Sequence, residues 1–411
     1  MSLSKRFAQA TAITQLMDDL NRGAQTEDMI MLGGGNPALI PAVEQALSAL
    51  LVAAQQDGTL LHAISHYDGP LGSDRFRRTL ADYLVRQGWP VSPEHIAITN
   101  GSQSAFFALI NLLAGSGSGR GKGRVVLPMV PEYVGYGDLA LEPDLFYAHL
   151  PHVTRLGPHS FSYQPDLETL PLTGDDALIC LSRPTNPTGH LISDADLERL
   201  RERAAAHEIP LLLDLAYGQP FPAIQFEPSQ YSWRPGEIAC LSLSKLGLPG
   251  VRTGMVIADP EVIQLLGNFA GVAGLAPGGI GPALATPLFA DGGIDRWCQQ
   301  LITPYYHRHQ QQMRLWLTDL IADPRFAIHR GHGTFFLWLW FEDMGFDSDQ
   351  LYRSLVAEGV LAVPGHHFCP GRTRPWHHAR QCLRLSLAQE LPLLEVAAMR
   401  ISKVVARLVK A

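Results

Sequence analysis

The sequence predicts an α/β protein, with a doubly wound sheet domain followed by a smaller α+β unit. Three observations predict it. Short apolar runs recur from about residue 96, at Ile96–Thr99, Val125–Leu127, Leu178–Leu181, Pro210–Asp214, Ile238–Ser242 and Met255–Ala258. They are apolar at successive positions, as strands of a parallel sheet covered on both faces would be. Between two of them, 193–207 is a capped amphipathic pattern, the crossover helix that parallel strands need. Near residue 296 the rhythm changes to a long polar and aromatic helix (297–321), a strand (334–341), a helix, a strand and a last helix (391–409).

The bulk properties bound the rest. The 411 residues can fill two or three units, since domains usually run to about 100–200 residues. The expected partition is an N-terminal segment, 1–62, joining the smaller unit; a large domain, 63–295; and a C-terminal small domain, 296–411. Charged residues at 17% and apolar ones at 46% exclude extended disorder. A net charge of −7 argues against nucleic acid, so any phosphate site must be a local cluster of donors. Five widely spaced cysteines, 180, 240, 298, 369 and 382, form no CxxC pair and fit a reducing, cytoplasmic location. The start, Met-Ser-Leu-Ser-Lys-Arg-Phe-Ala-Gln, lacks a leader's apolar core, and no stretch approaches the roughly 18 apolar residues of a membrane span. The Gly115–Arg124 stretch has no Ser or Thr after Gly121-Lys122 and is not a Walker A loop.

The chemistry-bearing residues follow the strands. Asn100-Gly-Ser102-Gln103 leaves the first strand through a glycine turn and opens an apolar helix, whose N–H groups suit a phosphate; an ordinary turn and cap fits equally. Ser182-Arg-Pro-Thr-Asn186-Pro-Thr-Gly holds Asn186 between two prolines. Asp214 terminates a buried strand, which is costly unless it meets a cation such as a protonated pyridine nitrogen, or caps a helix. Lys245 closes Ser242-Leu-Ser-Lys after another buried strand, and Arg252 stands seven residues on. A desolvated lysine can form an imine, and arginine with serine hydroxyls can take a phosphate, which together suggest pyridoxal 5'-phosphate. Alone, the segment also fits a surface lysine in a turn.

Order and spacing carry a more specific signal. Gly-Ser-Gln, Pro-Glu-Tyr133, Asn-Pro-Thr-Gly, Asp-x-Ala-Tyr217, Ser-x-Ser-Lys with its arginine, and Arg384-Leu-Ser resemble, in this order, the fold-type I aminotransferases from end to end. The stretches Leu32-Gly-Gly-Gly-Asn-Pro37, Tyr67-Asp-Gly-Pro70 and Ala276-Pro-Gly-Gly-Ile-Gly-Pro282 resemble more narrowly the valine–pyruvate branch of that family. The resemblance implies the PLP-dependent transferase fold type I, with a large mixed sheet. It implies that Lys245 holds PLP and later moves the proton, that Asp214 keeps the ring nitrogen protonated, and that Tyr217 and Asn186 reach the ring oxygen. By the same resemblance Tyr133 stacks on the ring, while Ser102, Gln103, Ser242 and Arg252 hold the phosphate. Tyr67 matches a tyrosine that completes the phosphate site of a neighbouring subunit, so a homodimer with shared sites is expected. Arg384 matches the arginine for the substrate α-carboxylate, with Asn186 and the Gly35 N–H beside it. Ser386 departs from the asparagine many relatives carry there.

The expected reaction is amino-group transfer between L-valine and pyruvate, giving 3-methyl-2-oxobutanoate and L-alanine. Its partners are small amino acids and 2-oxo acids, with neither nucleic acid nor membrane. Another aminotransferase of neutral amino acids, or a C–S β-lyase, is the alternative. A non-enzymatic PLP sensor would need a DNA-binding domain that no motif marks. His366, His367, Cys369, His377, His378 and Cys382 match no standard zinc spacing, so no metal is expected. Ile13–Leu20 and the turn near Leu39 are expected to contribute to the side-chain pocket.

Overall fold

The computed structural model of the protein describes residues 11–410. The leader reading, made on the first nine residues, lies outside them. The chain opens with α1 (Ala12–Ala24), β1 (Ile30–Met31), α2 (Pro41–Gln56), α3 (Thr59–Ser65) and α4 (Asp74–Arg86). Local chemistry starts these helices: Thr11 accepts from the Thr14 N–H ahead of α1, and Ser73 from the Phe76 N–H ahead of α4. The sheet segments follow as β2 (Ile96–Thr99), α5 (Ser102–Leu113), β3 (Arg124–Leu127), β4 (Phe146–Ala148), β5 (His152–Gly157), β6 (Ser160–Gln164) and β7 (Asp176–Ser182). Next come α6 (Asp194–Ala206), capped by Ser193, then β8 (Leu211–Asp214), β9 (Glu237–Ser242), β10 (Gly254–Ile257), α7 (Pro260–Ala273) and α8 (Ile280–Ala290). α9 (Gly293–Arg296) passes through a π-helical turn, Trp297–Ile302, into α10 (Thr303–Leu320). The chain closes with β11 (Phe326–His329), β12 (Phe336–Phe341), α11 (Ser348–Ala357), β13 (Val360–Leu361), β14 (Val363–Pro364), α12 (His377–Arg380), β15 (Cys382–Ser386) and α13 (Leu391–Val409).

The large sheet runs β2-β10-β9-β8-β7-β3-β4. Its pairs are parallel except those of β10, which is antiparallel to both β2 and β9. The link 243–253 is too short for a helical crossover, so β10 can return only against β9. Alternate residues of each strand enter different cores: Ile179 and Leu181 join one buried cluster, Leu178 and Cys180 the other. That two-sided burial is why these strands read as continuous apolar runs.

The second sheet, β14-β15-β12-β11-β6-β5, crosses the expected boundary at residue 296. Hairpin β5–β6 pairs through β6 with β11, Ile328 opposite Ser160, and its Phe161 and Tyr163 pack with Trp338 and Trp340. The expected boundary at residue 62 is crossed too. β1 pairs with β13, whereas Ile40 and Val43, at the start of α2, are buried in the core of the large sheet. Burial of apolar faces, not position along the chain, assigns these segments. Among the described residues no helix is long and apolar enough to cross a membrane.

Candidate active site

The ends of β7, β8 and β9 lie in register, Ser182 opposite Asp214 and Asp214 opposite Cys240, and a cavity of about 160 Å³ opens beyond them. One corner is built on the start of α5. Gly101 precedes that helix at φ +86°, a conformation that favours glycine, and a Cβ there would run into the Arg252 guanidinium. A Cβ on Gly254 would lie 2.5 Å from the Ser102 nitrogen, so β10 approaches the same corner. Arg252, itself left-handed at φ +48°, turns back and donates to the Pro249 carbonyl at 3.2 Å. Ser102, Gln103, Ser242 and Ser244 line the corner, the Ser242 hydroxyl accepting from the Ser244 N–H at 3.1 Å. A helix N-terminus, hydroxyls and a guanidinium together form an anion site.

Lys245 and Asp214 occupy the middle. The Lys245 amine donates to the Gly35 carbonyl at 2.7 Å and lies 5.4 Å from the Tyr217 ring centroid and 5.7 Å from that of Phe335. Burial lowers this amine to about 8; Asp214 opposes the shift, while Arg384 and Arg252 add to it. Asp214 accepts the Ala216 N–H and the Tyr136 hydroxyl, each at 2.9 Å. Burial raises the Asp214 carboxyl against those hydrogen bonds and the charge of Lys245. The Tyr133 ring stands edge to face with Tyr136, centroids 5.4 Å apart. Burial raises the Tyr217 phenol well above its ordinary range, leaving it a donor at neutral pH.

Arg384, from β15, closes the far side. It is 3% exposed, lies over the Phe336 ring at 4.3 Å and the Phe368 ring at 4.9 Å, and donates to Asn186 Oδ1 at 3.0 Å and the Gly33 carbonyl at 2.6 Å. Its Nε is buried without a hydrogen-bond partner among the described residues. An unsatisfied donor costs about 1–3 kcal/mol, so this guanidinium is poised for an acceptor that arrives from outside. Burial lowers it to about 10, still cationic at neutral pH.

The structure thus brings Ser102, Gln103, Tyr133, Asn186, Asp214, Tyr217, Ser242, Lys245 and Arg252 to one cavity, with Arg384 joined to it through Asn186. Gly35 is there through its carbonyl on Lys245, a different group from the N–H expected. Tyr67 is 86% exposed and outside the cavity of its own chain. Ile13 donates its N–H to Asp138 and lies against Gly135, and Leu16 packs near Tyr133 and Phe368; neither lines the cavity. Among the described residues no three acidic, histidine or cysteine side chains could hold a metal. His378 instead meets the Tyr163 hydroxyl at 2.7 Å and Cys382 at 3.6 Å. Sequence reasoning missed Phe106, Tyr136, Ser182 and the Phe335–Phe336 wall. The spacing Tyr133-Val-Gly-Tyr136 was the available signal for one of them.

A doubly wound mixed sheet with a lysine, an aspartate and an anion-binding helix start at its strand ends defines an aminotransferase-like scaffold, and the chain belongs to the aminotransferase class I and II family, whose model matches residues 27–401. It is 43% identical to the valine–pyruvate aminotransferase of Escherichia coli (strain K12), over 95% of this chain and 94% of that one. The crystal structure of the valine–pyruvate aminotransferase of Salmonella typhimurium LT2 superposes with a TM-score of 0.89 at 41% identity, covering 96% and 99% of the two chains. That of a putative amino-acid aminotransferase from Psychrobacter arcticum gives 0.95 at 37% identity, covering 99% of each.

Proposed function

We propose that the protein transfers the amino group between L-valine and pyruvate, giving 3-methyl-2-oxobutanoate and L-alanine, with pyridoxal 5'-phosphate as cofactor. The observation that carries the proposal is the Lys245 amine, lowered to about 8 by burial, set between an anion-binding corner and a buried guanidinium with a free Nε. These residues fit the cofactor. Ser102, Gln103, Ser242 and Arg252 would hold its phosphate, Tyr133 and Tyr217 would bound its ring, Asp214 would meet the ring nitrogen and Asn186 the ring oxygen. When bound, the cofactor supplies an electron sink for the charge that develops at the substrate Cα.

The chain's own residues supply the rest. Lys245 would hold the cofactor through its amine, and as a free amine would move a proton at Nζ, with the Gly35 carbonyl orienting it. Arg384 and Asn186 seat the α-carboxylate, and the planar fork of the arginine fixes orientation as well as charge. Lys245 and Arg252 are the cations among the described lining residues, and both are engaged, which favours a substrate with a neutral side chain. The valine–pyruvate aminotransferases at 43% and 41% identity support valine and pyruvate within that class.

A homodimer completes the proposal. Tyr67 lies among exposed apolar residues, Leu61, Ile64, Val272, Leu275 and Ile280, on packed segments where Gly279 meets Ala63 and Gly271 meets Pro70. Such a patch suits a second copy, to whose phosphate corner Tyr67 would contribute. Five free thiols suit a cytoplasmic location. The test is a panel of amino donors with pyruvate and measured 2-oxo acid products. Valine should lead the panel with alanine as co-product; 2-oxo acid released without an acceptor would mean a lyase.

A further inference from the structure

Phe335 and Phe336 turn their rings to the same side of the chain, against the habit of a strand. Successive strand residues face opposite ways, and Leu337 and Leu339 of β12 do enter the core of the small sheet. By that alternation Phe335 belongs beside them. It joins Phe336 in the core of the large sheet instead. The two ring centroids lie 4.8 Å apart, and they stand 5.2 Å and 5.7 Å from that of Tyr217. Each ring backs a different cation: the Phe335 centroid is 5.7 Å from the Lys245 amine and the Phe336 centroid 4.3 Å from the Arg384 guanidinium.

The alternation breaks at Thr334. This residue is fully buried and left-handed at φ +65°, a strained conformation for a β-branched side chain, which persists only where the surroundings enforce it. They do so here. The His332 N–H donates to the Gly189 carbonyl at 2.8 Å, the Phe226 N–H to the His332 carbonyl at 2.7 Å, the Thr334 N–H to the Ile224 carbonyl at 2.9 Å and the Leu387 N–H to the Phe335 carbonyl at 2.8 Å. A Cβ on Gly333 would lie 2.4 Å from the Ile224 oxygen, so the segment is pressed onto that loop. The Thr334 hydroxyl accepts the Phe336 N–H at 3.2 Å, closing a turn onto its own backbone two residues on. Glycine would take the same backbone without strain. What it lacks is the hydroxyl. The geometry points to Thr334 as a positioning residue whose hydroxyl-closed turn places Phe335 at Lys245 and Phe336 at Arg384, so that one strained residue sets the apolar backing of both cations. A ring moved away from Lys245 admits water and raises its amine. The groups facing that amine are Asp214 and Tyr217 at the end of β8, Arg384 from β15 and Arg252 before β10. The consequence for substrate rests on the proposal that Arg384 seats the α-carboxylate.

Thr334→Val, Thr334→Ser and Thr334→Gly separate the hydroxyl from the strain. The readouts are the pH midpoint for acylation of Lys245 in the cofactor-free protein, followed by peptide mass spectrometry, the Tm of that protein, and KM for valine and pyruvate. Val keeps the branched shape but not the hydroxyl, so the midpoint should rise by about one unit and KM roughly fivefold, the scale of one lost hydrogen bond. Ser keeps the hydroxyl, and its midpoint should stay within about 0.3 units of wild type. Gly removes hydroxyl and strain together. Its Tm should exceed that of Val, yet its midpoint and KM should move as far, which a merely structural role would not produce. A Gly midpoint equal to wild type, a Ser midpoint that moves as far as the Val one, or an unchanged KM in both Val and Gly overturns the proposal. Should the Val variant fail to fold, Gly and Ser decide in the same terms. A wild-type protein that transfers no amino group from valine to pyruvate would refute the proposed function instead, and the acylation midpoints, which need neither cofactor nor substrate, would still decide the role of Thr334.

Discussion

Two cations flank the site, Lys245 in the lining of the cavity and Arg384 beside it through Asn186, and desolvation changes them differently. Lys245 is brought to about 8, within reach of neutral pH, so a fraction of its amine is free and nucleophilic. Arg384 is more deeply enclosed, yet at about 10 it remains charged. The contrast follows from intrinsic chemistry: an ammonium gives up its proton when desolvated, whereas a delocalised guanidinium keeps it and offers a rigid fork. One end of the site is thus built to exchange a proton and the other to hold a charge still. Their surroundings agree, since Lys245 has one hydrogen bond and two aromatic neighbours, while Arg384 is fixed by two acceptors and two rings.

The largest expected effect separates the two ends outright. Lys245→Ala should lower kcat by about 10⁴-fold, the upper range for loss of a proton-transfer group, and should abolish the bound cofactor's visible absorbance. Retained turnover would remove Lys245 from the chemistry. Arg384→Lys keeps a cation but loses the fork. With charge-assisted bonds worth about 1.5–3 kcal/mol each, KM for amino and 2-oxo acids should rise together by roughly 10²-fold, with the absorbance kept. A KM rise for one substrate only would mean that the carboxylates bind at different places.

A pH measurement sharpens the contrast further. Because the folded-state amine of Lys245 is lowered, it is protonated and unreactive below about 8 and free above it. Cofactor uptake by cofactor-free protein, followed by absorbance, should therefore rise about tenfold per pH unit from pH 6 and level off near 8. A rate still climbing at pH 10 would show an ordinary lysine and erase the difference between the two cations.

Much of the fold was legible because the central strands are buried on both faces; β7, buried throughout from Asp176 to Ser182, could read only as an apolar run. β5 was not legible, since its residues are half-buried or exposed and carry no clean alternation. Nor could sequence rhythm reveal that β6 completes a sheet with β11, a pairing between residues far apart in the chain. In the site, Asp214 and Lys245 stood out because charge at the end of an apolar strand is anomalous. Tyr136 did not, as its burial depends on packing against Phe106. The contact of the Gly35 carbonyl with Lys245 was not legible either, since it joins residues far apart in the chain.

The smallest expected effect falls on the lysine end alone. Tyr136→Phe removes one of the two hydrogen bonds to Asp214 and leaves the Ala216 N–H. That bond stabilises the ionised carboxylate, so its loss raises an already raised Asp214 and weakens its hold on a protonated ring. At about 1 kcal/mol, cofactor affinity measured by tryptophan fluorescence of cofactor-free protein should fall roughly fivefold. KM for the substrates should stay put, because Tyr136 makes no hydrogen bond to Arg384 or Asn186. If KM rose with the loss of affinity, the two ends would be one coupled unit, and the division between a proton-exchanging and a charge-holding cation would no longer describe the site.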